Sequence, residues 1–352
     1  MTRDALKTAL LDSLRMNRSV VLMMLAYIAF VLVLGHVAGF QVDMRLYSGQ
    51  AMILVFFSFG IVLVPIVVLQ LYRHRPASPV QFVWRLLIND LHIVERGLIA
   101  LPCILLFPVF SSGYTSLKSA IPFLHPFRLD PLFAYWDSLI HGGHAWELIH
   151  PLVGFPIVTS TLNLTYNLWF FTAWIAFALV AVISSDRRLR EQYLLSFFGC
   201  WIVLGSIAAI GLASVGPCYY GLLYPDDPYA PLMSYLRSVD EVYPIWALST
   251  QDMLWDQHIS RSPGLGSGIS AMPSLHLAIA TLNALLLSRL SRIAGILGWL
   301  YVLMILVGSV HLGWHYAIDG YASIAAVPVI WWAAGCWAAR STEPAPVPVA
   351  ST

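Results

Sequence analysis

Apolar residues in this chain come in long runs, and that feature limits the fold more than any other. A helix needs about 20 mostly apolar residues to cross the hydrocarbon core of a bilayer. Eight stretches reach or approach that length: Val20–Gly39, Ala51–Leu71, Gly97–Phe110, Leu168–Ser184, Leu194–Ala213, Ser274–Ser288, Ile293–Val310 and Gly320–Ala339. Gly97–Phe110 is short and holds Pro102 and Pro108, so it is expected to kink or to extend into its flanks. Ser274–Ser288 is also short and opens on polar residues. No ten-residue alternating pattern repeats, which argues against a β-barrel. Charged residues make up 11% of the chain, against about 25% in an ordinary soluble domain. A disordered chain, a nucleic-acid binder with a basic face and a water-soluble globule are excluded. The expected fold is all-α, a multi-pass transmembrane helical bundle.

The basic N-terminus (Arg3, Lys7, Arg15, Arg18) precedes a run too long for a cleaved signal, so Val20–Gly39 reads as a retained first span. Eight spans put 14 Lys and Arg on the side of both termini and 5 on the other, whose loops are far longer. Basic residues stay cytoplasmic, so the termini are expected inside. The loops 112–164 and 214–273 then face the periplasm, the cell exterior or an organelle lumen. They carry Trp136, Trp146, Tyr219, Tyr229, Tyr235, Trp246 and Trp255, and suggest an interfacial cap with short helices at Pro131–Ile140 and Pro231–Val239. The run Arg187-Arg188-x-Arg190 reads as a topology signal, and the Pro-rich tail after Arg340 as disordered. Cys103, Cys200 and Cys336 fall inside spans, Cys218 in a loop, and no CxxC pair exists, so neither a disulfide framework nor a zinc site is indicated.

Ionisable groups at membrane depth are costly and usually functional. Two clusters stand out. Gly264-Leu-Gly-Ser-Gly-Ile-Ser-Ala-Met-Pro-Ser-Leu-His276 runs into one apolar span, and His311-Leu-Gly-Trp-His315-Tyr-Ala-Ile-Asp319 joins the last two. One helical hairpin separates them, so both return to the same surface. His315 and Asp319 are spaced i, i+4 and share a helix face. A carboxylate on one imidazole nitrogen fixes the tautomer and raises the basicity of the other, which suits a nucleophile. His276 is then a candidate general acid, with Ser274 and glycine-rich backbone amides as anion donors. A two-histidine, one-carboxylate metal site with His311 as an extra ligand, and proton coupling in a transporter, are the rival readings. His311 alone reads as a packing histidine. An intramembrane serine protease fits worse, because Leu265 breaks the motif around Ser267.

Pro273-Ser274-Leu275-His276, followed 39 residues after its histidine by His315-x-x-x-Asp319, resembles the type 2 phosphatidic acid phosphatase (PAP2) superfamily. Ala271-Met272-Pro273-Ser274-Leu275-His276, His315-Tyr316 with Asp319, and the earlier Gly216-Pro217 look most similar to its inositol phosphorylceramide synthase-like branch. The resemblance implies a six-helix core over residues 97–339, with residues 1–96 adding two N-terminal spans and 340–352 a tail. It implies a metal-independent phosphatase or phosphotransferase with no cofactor, whose substrate is a phospholipid or an isoprenoid or sphingolipid phosphate in the bilayer. His315 would take up the phosphoryl group, Asp319 orient it and His276 protonate the leaving oxygen; Ser274, Leu275 and nearby amides would hold the phosphate.

The sequence departs from the superfamily in three places. The Lys-x6-Arg-Pro element is missing, Gly308-Ser309 stands where Ser-Arg is expected, and Leu275 replaces the glycine between serine and histidine. The outer-side cations that could replace the usual phosphate clamp are Lys118, Arg128 and Arg261. Asp137, in a polar group with Asp130, His141 and His144, is a candidate for head-group contact.

Overall fold

The computed structural model describes residues 3–184, 186–262 and 264–342. Every regular element described is helical. Six helices are long and apolar enough to cross a membrane. They are α2 (Arg18–Ala38), α5 (Ile93–Leu124), α8 (Pro156–Ile183), α9 (Arg187–Gly199) with its continuation, α15 (Arg292–His311) and α16 (Ala317–Thr342). Helix α9 runs through a π-helical stretch, Cys200–Ala208, into the single turn α10 (Ala209–Gly211). Two further apolar helices complete the eight expected stretches, α3 (Gln50–His74) and α14 (Leu275–Leu290). The chain begins with α1 (Arg3–Met16), and α4 (Pro79–Arg85) follows α3.

Helix α14 has 16 residues and rises only about 24 Å. It is enclosed by α8, α9, α15 and α16, and Leu277 through Ala284 are buried. A helix walled in by protein does not need a full apolar length. Within the bundle Tyr193 Oη donates to Asn283 Oδ1 at 2.7 Å.

The span expected at Gly97–Phe110 is a continuous helix from Ile93 to Leu124 that contains Pro102, Pro108 and Pro122. The run Ser111-Ser112-Gly113-Tyr114-Thr115-Ser116 looks like loop in sequence but is helical. Its hydroxyls bond one turn back, Ser112 Oγ to Pro108 O and Ser116 Oγ to Ser112 O, and so are satisfied without water. Helix α8 begins at Pro156, so the first long loop shrinks to 125–155 and Lys118 stands on a helix. That loop folds into α6 (Asp130–His141) and α7 (Ala145–Val153). The second forms α11 (Tyr220–Leu223), α12 (Ala230–Asp240) and α13 (Trp246–Ser260). Helix α6 packs on α16, α7 on α15, and α12 and α13 on α8, which makes the expected cap at one end of the bundle.

The Arg187-Arg188-x-Arg190 run is more than a topology signal. Arg190 is buried, donates from Nε to Ala181 O and from Nη2 to Asn17 Oδ1, and so joins α9 to the N-terminal helices. Of the Pro-rich tail, residues 343–352 lie outside the described part.

Candidate active site

His315 lies in the turn between α15 and α16, and Asp319 in the first turn of α16. Asp319 Oδ2 is 3.2 Å from His315 Nδ1 and accepts from Tyr316 N at 3.2 Å. His315 is 6% exposed and Asp319 fully buried. A carboxylate at Nδ1 keeps the proton there and leaves Nε2 as the free lone pair. Trp314 N and His315 N both donate to Ser309 O, while Gly313 takes a left-handed φ of 75° that lets the chain turn.

His276 stands in the first turn of α14, its ring centroid 6.4 Å from that of His315. It stacks on Tyr166 at 4.5 Å and meets Trp169 at 4.2 Å. Tyr166, Trp169 and Phe170 fall on one face of α8, and Trp169 Nε1 also donates to His276 O. Ser274 caps α14, its Oγ accepting from Leu277 N, and Ser274 N donates to Asp319 O at 3.2 Å. The two motifs are therefore joined through backbone as well as across the ring gap. The amides of Leu275 and His276 have no carbonyl one turn back, as at any helix N-terminus.

Gly216-Pro217 closes the third side. With φ +87°, Gly216 lies so close to Trp314 O and Ala271 that a Cβ would stand 2.6 Å from the former. Ala271 N donates to Ser214 O and Met272 N to Ser214 Oγ, while Cys218 N donates to Gly313 O.

Two carboxylates brace this assembly. Asp130 accepts from Val215 N, Gly216 N and Tyr316 Oη. Asp137 accepts from Ile318 N and Ala145 N, with His141 Nδ1 3.8 Å away. Burial pushes both carboxyls above the ordinary aspartate value of 3.8, against the pull of those donors. Asp137, expected at the head group, has each carboxylate oxygen bonded to a backbone amide, one of them in the first turn of α16.

The glycine-rich loop crosses α5 on its way to the site. Gly268, with φ +95°, packs directly on the backbone of Lys118 and Ser119, and Ser267 and Ser119 hydroxyls are 2.7 Å apart. This contact seats the loop that leads to His276 directly on the backbone of Lys118. Among the described residues no carboxylate pairs with Lys118. Arg128 and Arg261 are exposed, and neither has a contact with the histidines or with Asp319. Of the three candidate cations, Lys118 is the one on whose backbone the loop leading to His276 packs. Leu275 is half-buried against the core and offers its amide rather than its side chain.

His311 is a packing histidine, as expected: fully buried, its Nε2 is 2.8 Å from Thr159 Oγ1. Among the described residues no cluster of three or more His, Cys, Asp or Glu is arranged to hold a metal. Trp169, on α8, and Ser214, just beyond α10, also reach the site, and no sequence motif points to either.

A family model for the PAP2 superfamily matches residues 131–333, more than half of the chain. The chain belongs to the PAP2 superfamily. No curated protein and no solved structure matches it. Membership makes it a membrane-embedded, phosphatase-type phosphoesterase acting on lipid substrates. The PAP2 match takes in both histidine motifs, Gly216-Pro217 and the bracing carboxylate Asp137, and it begins one residue after Asp130. Lys118 and the first five helices lie before it.

Proposed function

We propose that this protein breaks or moves a phosphate ester of a membrane lipid, without a metal, through a phosphohistidine on His315. One observation carries the reading: a carboxylate-held imidazole faces a second imidazole across 6.4 Å. A phosphorus about 3 Å from each ring fits that gap. His315 Nε2 attacks phosphorus, the ester P–O bond breaks, and the leaving alkoxide takes the proton of the His276 imidazolium. In the second half His276 removes a proton from water, the oxygen attacks phosphorus, and the P–N bond breaks. Asp319 balances the charge that His315 carries in between. The rings of Tyr166 and Trp169 hold the His276 imidazole in place. Lys118, the α14 N-terminus and loop amides stabilise the phosphate oxygens. Tyr166 Oη and Trp314 Nε1 are buried without a partner among the described residues, and a bound phosphate would give each an acceptor.

A second reading has its own support. In transfer, a lipid alcohol replaces water, as in the inositol phosphorylceramide synthase-like branch. The residues that suggest that branch, Gly216, Ala271 and the His315-Tyr316 segment, meet at one spot. The Lys and Arg bias supports a site on the non-cytoplasmic face in either case.

The test is a panel of labelled lipid phosphates, with and without inositol-containing donors and a ceramide-like acceptor. Label released as phosphate means hydrolysis, and label on the acceptor means transfer. Turnover surviving in His315→Ala would overturn the reading, and inhibition by chelators would favour a metal.

A further inference from the structure

The N-terminal hairpin lies outside the matched residues, yet its loop touches the glycine-rich segment. Between α2 and α3 the chain docks on the polar face of α5. Asp43 N donates to Ser116 Oγ at 3.1 Å and Tyr47 N to Ser112 Oγ at 3.0 Å. Met44 packs on Gly113, where a Cβ would already be in contact with its side chain. The phenol of Tyr47 then accepts twice, from Thr115 Oγ1 at 3.2 Å and from Gly266 N at 2.8 Å. Gly266 has φ +70° and stands two residues before Gly268, which rests on Lys118. The serine pair Ser267–Ser119 ties the loop to α5 at the next residue. One continuous set of contacts therefore runs from Tyr47 through the loop to the backbone of Lys118.

We infer that Tyr47 is a positioning residue for oxyanion binding: it pins the glycine-rich loop against α5, so that the loop amides and Lys118 face the phosphate together. This inference rests on the function proposed above. The hydroxyl touches neither histidine, so its loss should act on anion affinity and not on bond breaking.

The test uses the full-length protein in detergent, with orthovanadate as probe and calorimetry as readout. Tyr47→Phe should bind vanadate about three- to tenfold more weakly, the worth of one backbone hydrogen bond. Its KM for any lipid phosphate the wild type turns over should rise in parallel, with kcat held within about twofold. Tyr27→Phe is the control: Tyr27 Oη bonds Ser206 Oγ at 2.7 Å, so it ties the same hairpin to the bundle far from the loop. It should lose as much thermal stability and leave vanadate affinity unchanged. Equal vanadate affinity in Tyr47→Phe and wild type, or an equal loss in both variants, would overturn the inference while leaving the histidine chemistry intact. A wild type that binds no vanadate would remove both.

Discussion

Two buried polar networks sit at opposite ends of the bundle, and they are finished to different degrees. At the end with the termini, Asn17 Nδ2 donates to Ser13 O and Ile99 O, Cys103 Sγ and Arg190 Nη2 donate to Asn17 Oδ1, and Ser13 Oγ donates to Ile99 O. That network is satisfied from within and fastens α1 and α2 to α5 and α9. At the other end, Asp319 Oδ1, Tyr166 Oη and Trp314 Nε1 are buried with no partner among the described residues. An unpaired buried polar atom costs about 1–3 kcal/mol. Unpaired buried atoms also occur elsewhere among the described residues, at Trp201 Nε1 and Thr281 Oγ1 for example, so the second network is set apart by the grouping of three of them around His276 and His315.

The largest effect expected from breaking this contrast is chemical. His315→Ala should lower turnover by about a thousandfold or more while thermal unfolding stays close to wild type; a comparable loss of folded protein would mean that the histidine belongs to the structure. Asn17→Ala comes next, at the other end. It leaves the buried Arg190 short of an acceptor and should cost about 3 kcal/mol of stability, with KM for the lipid phosphate unchanged. A shift in KM would show that the two networks are coupled through α5. Tyr316→Phe removes the hydroxyl donated to Asp130 and should cost about 1 kcal/mol in thermal stability.

The smallest effect is a pH dependence. Asp130 and Asp137 hold their protons more tightly folded than unfolded, because burial raises them. Their protonated forms therefore favour the folded state. That contribution is complete below the ordinary aspartate value near 3.8 and is lost as pH rises through the raised folded values. Unfolding temperatures measured upward from about pH 4 should fall for this reason, and Asp137→Asn should flatten the curve; an unchanged slope would speak against the burial effect.

Much of the site was legible because its chemistry is written in local spacings. His315 and Asp319 are one helical turn apart, and Pro273-Ser274-Leu275-His276 announces both a cap and an acid. The bracing was not legible. Asp130 and Asp137 look like the polar face of a cap helix, and only the fold shows their oxygens turned inward to the amides of residues 215, 216 and 318. The choice among Lys118, Arg128 and Arg261 was equally closed to sequence. Charge alone does not rank them, and Lys118 reads as loop in sequence because the helix that carries it is rich in serine and contains three prolines.

By itself the sequence determined that this chain lives in a membrane as helices, and that a histidine motif and a histidine–aspartate motif lie at the two ends of one returning hairpin. Both follow from length, hydropathy and helical periodicity, which are properties of neighbours along the chain. Tertiary structure decided which candidate cation the glycine-rich loop packs on, which carboxylates work as braces, and that α14 crosses with 16 residues because four helices enclose it. The loop and brace contacts join residues as far apart as 85, 148 and 181 positions, and no local pattern encodes which buried polar group meets which donor.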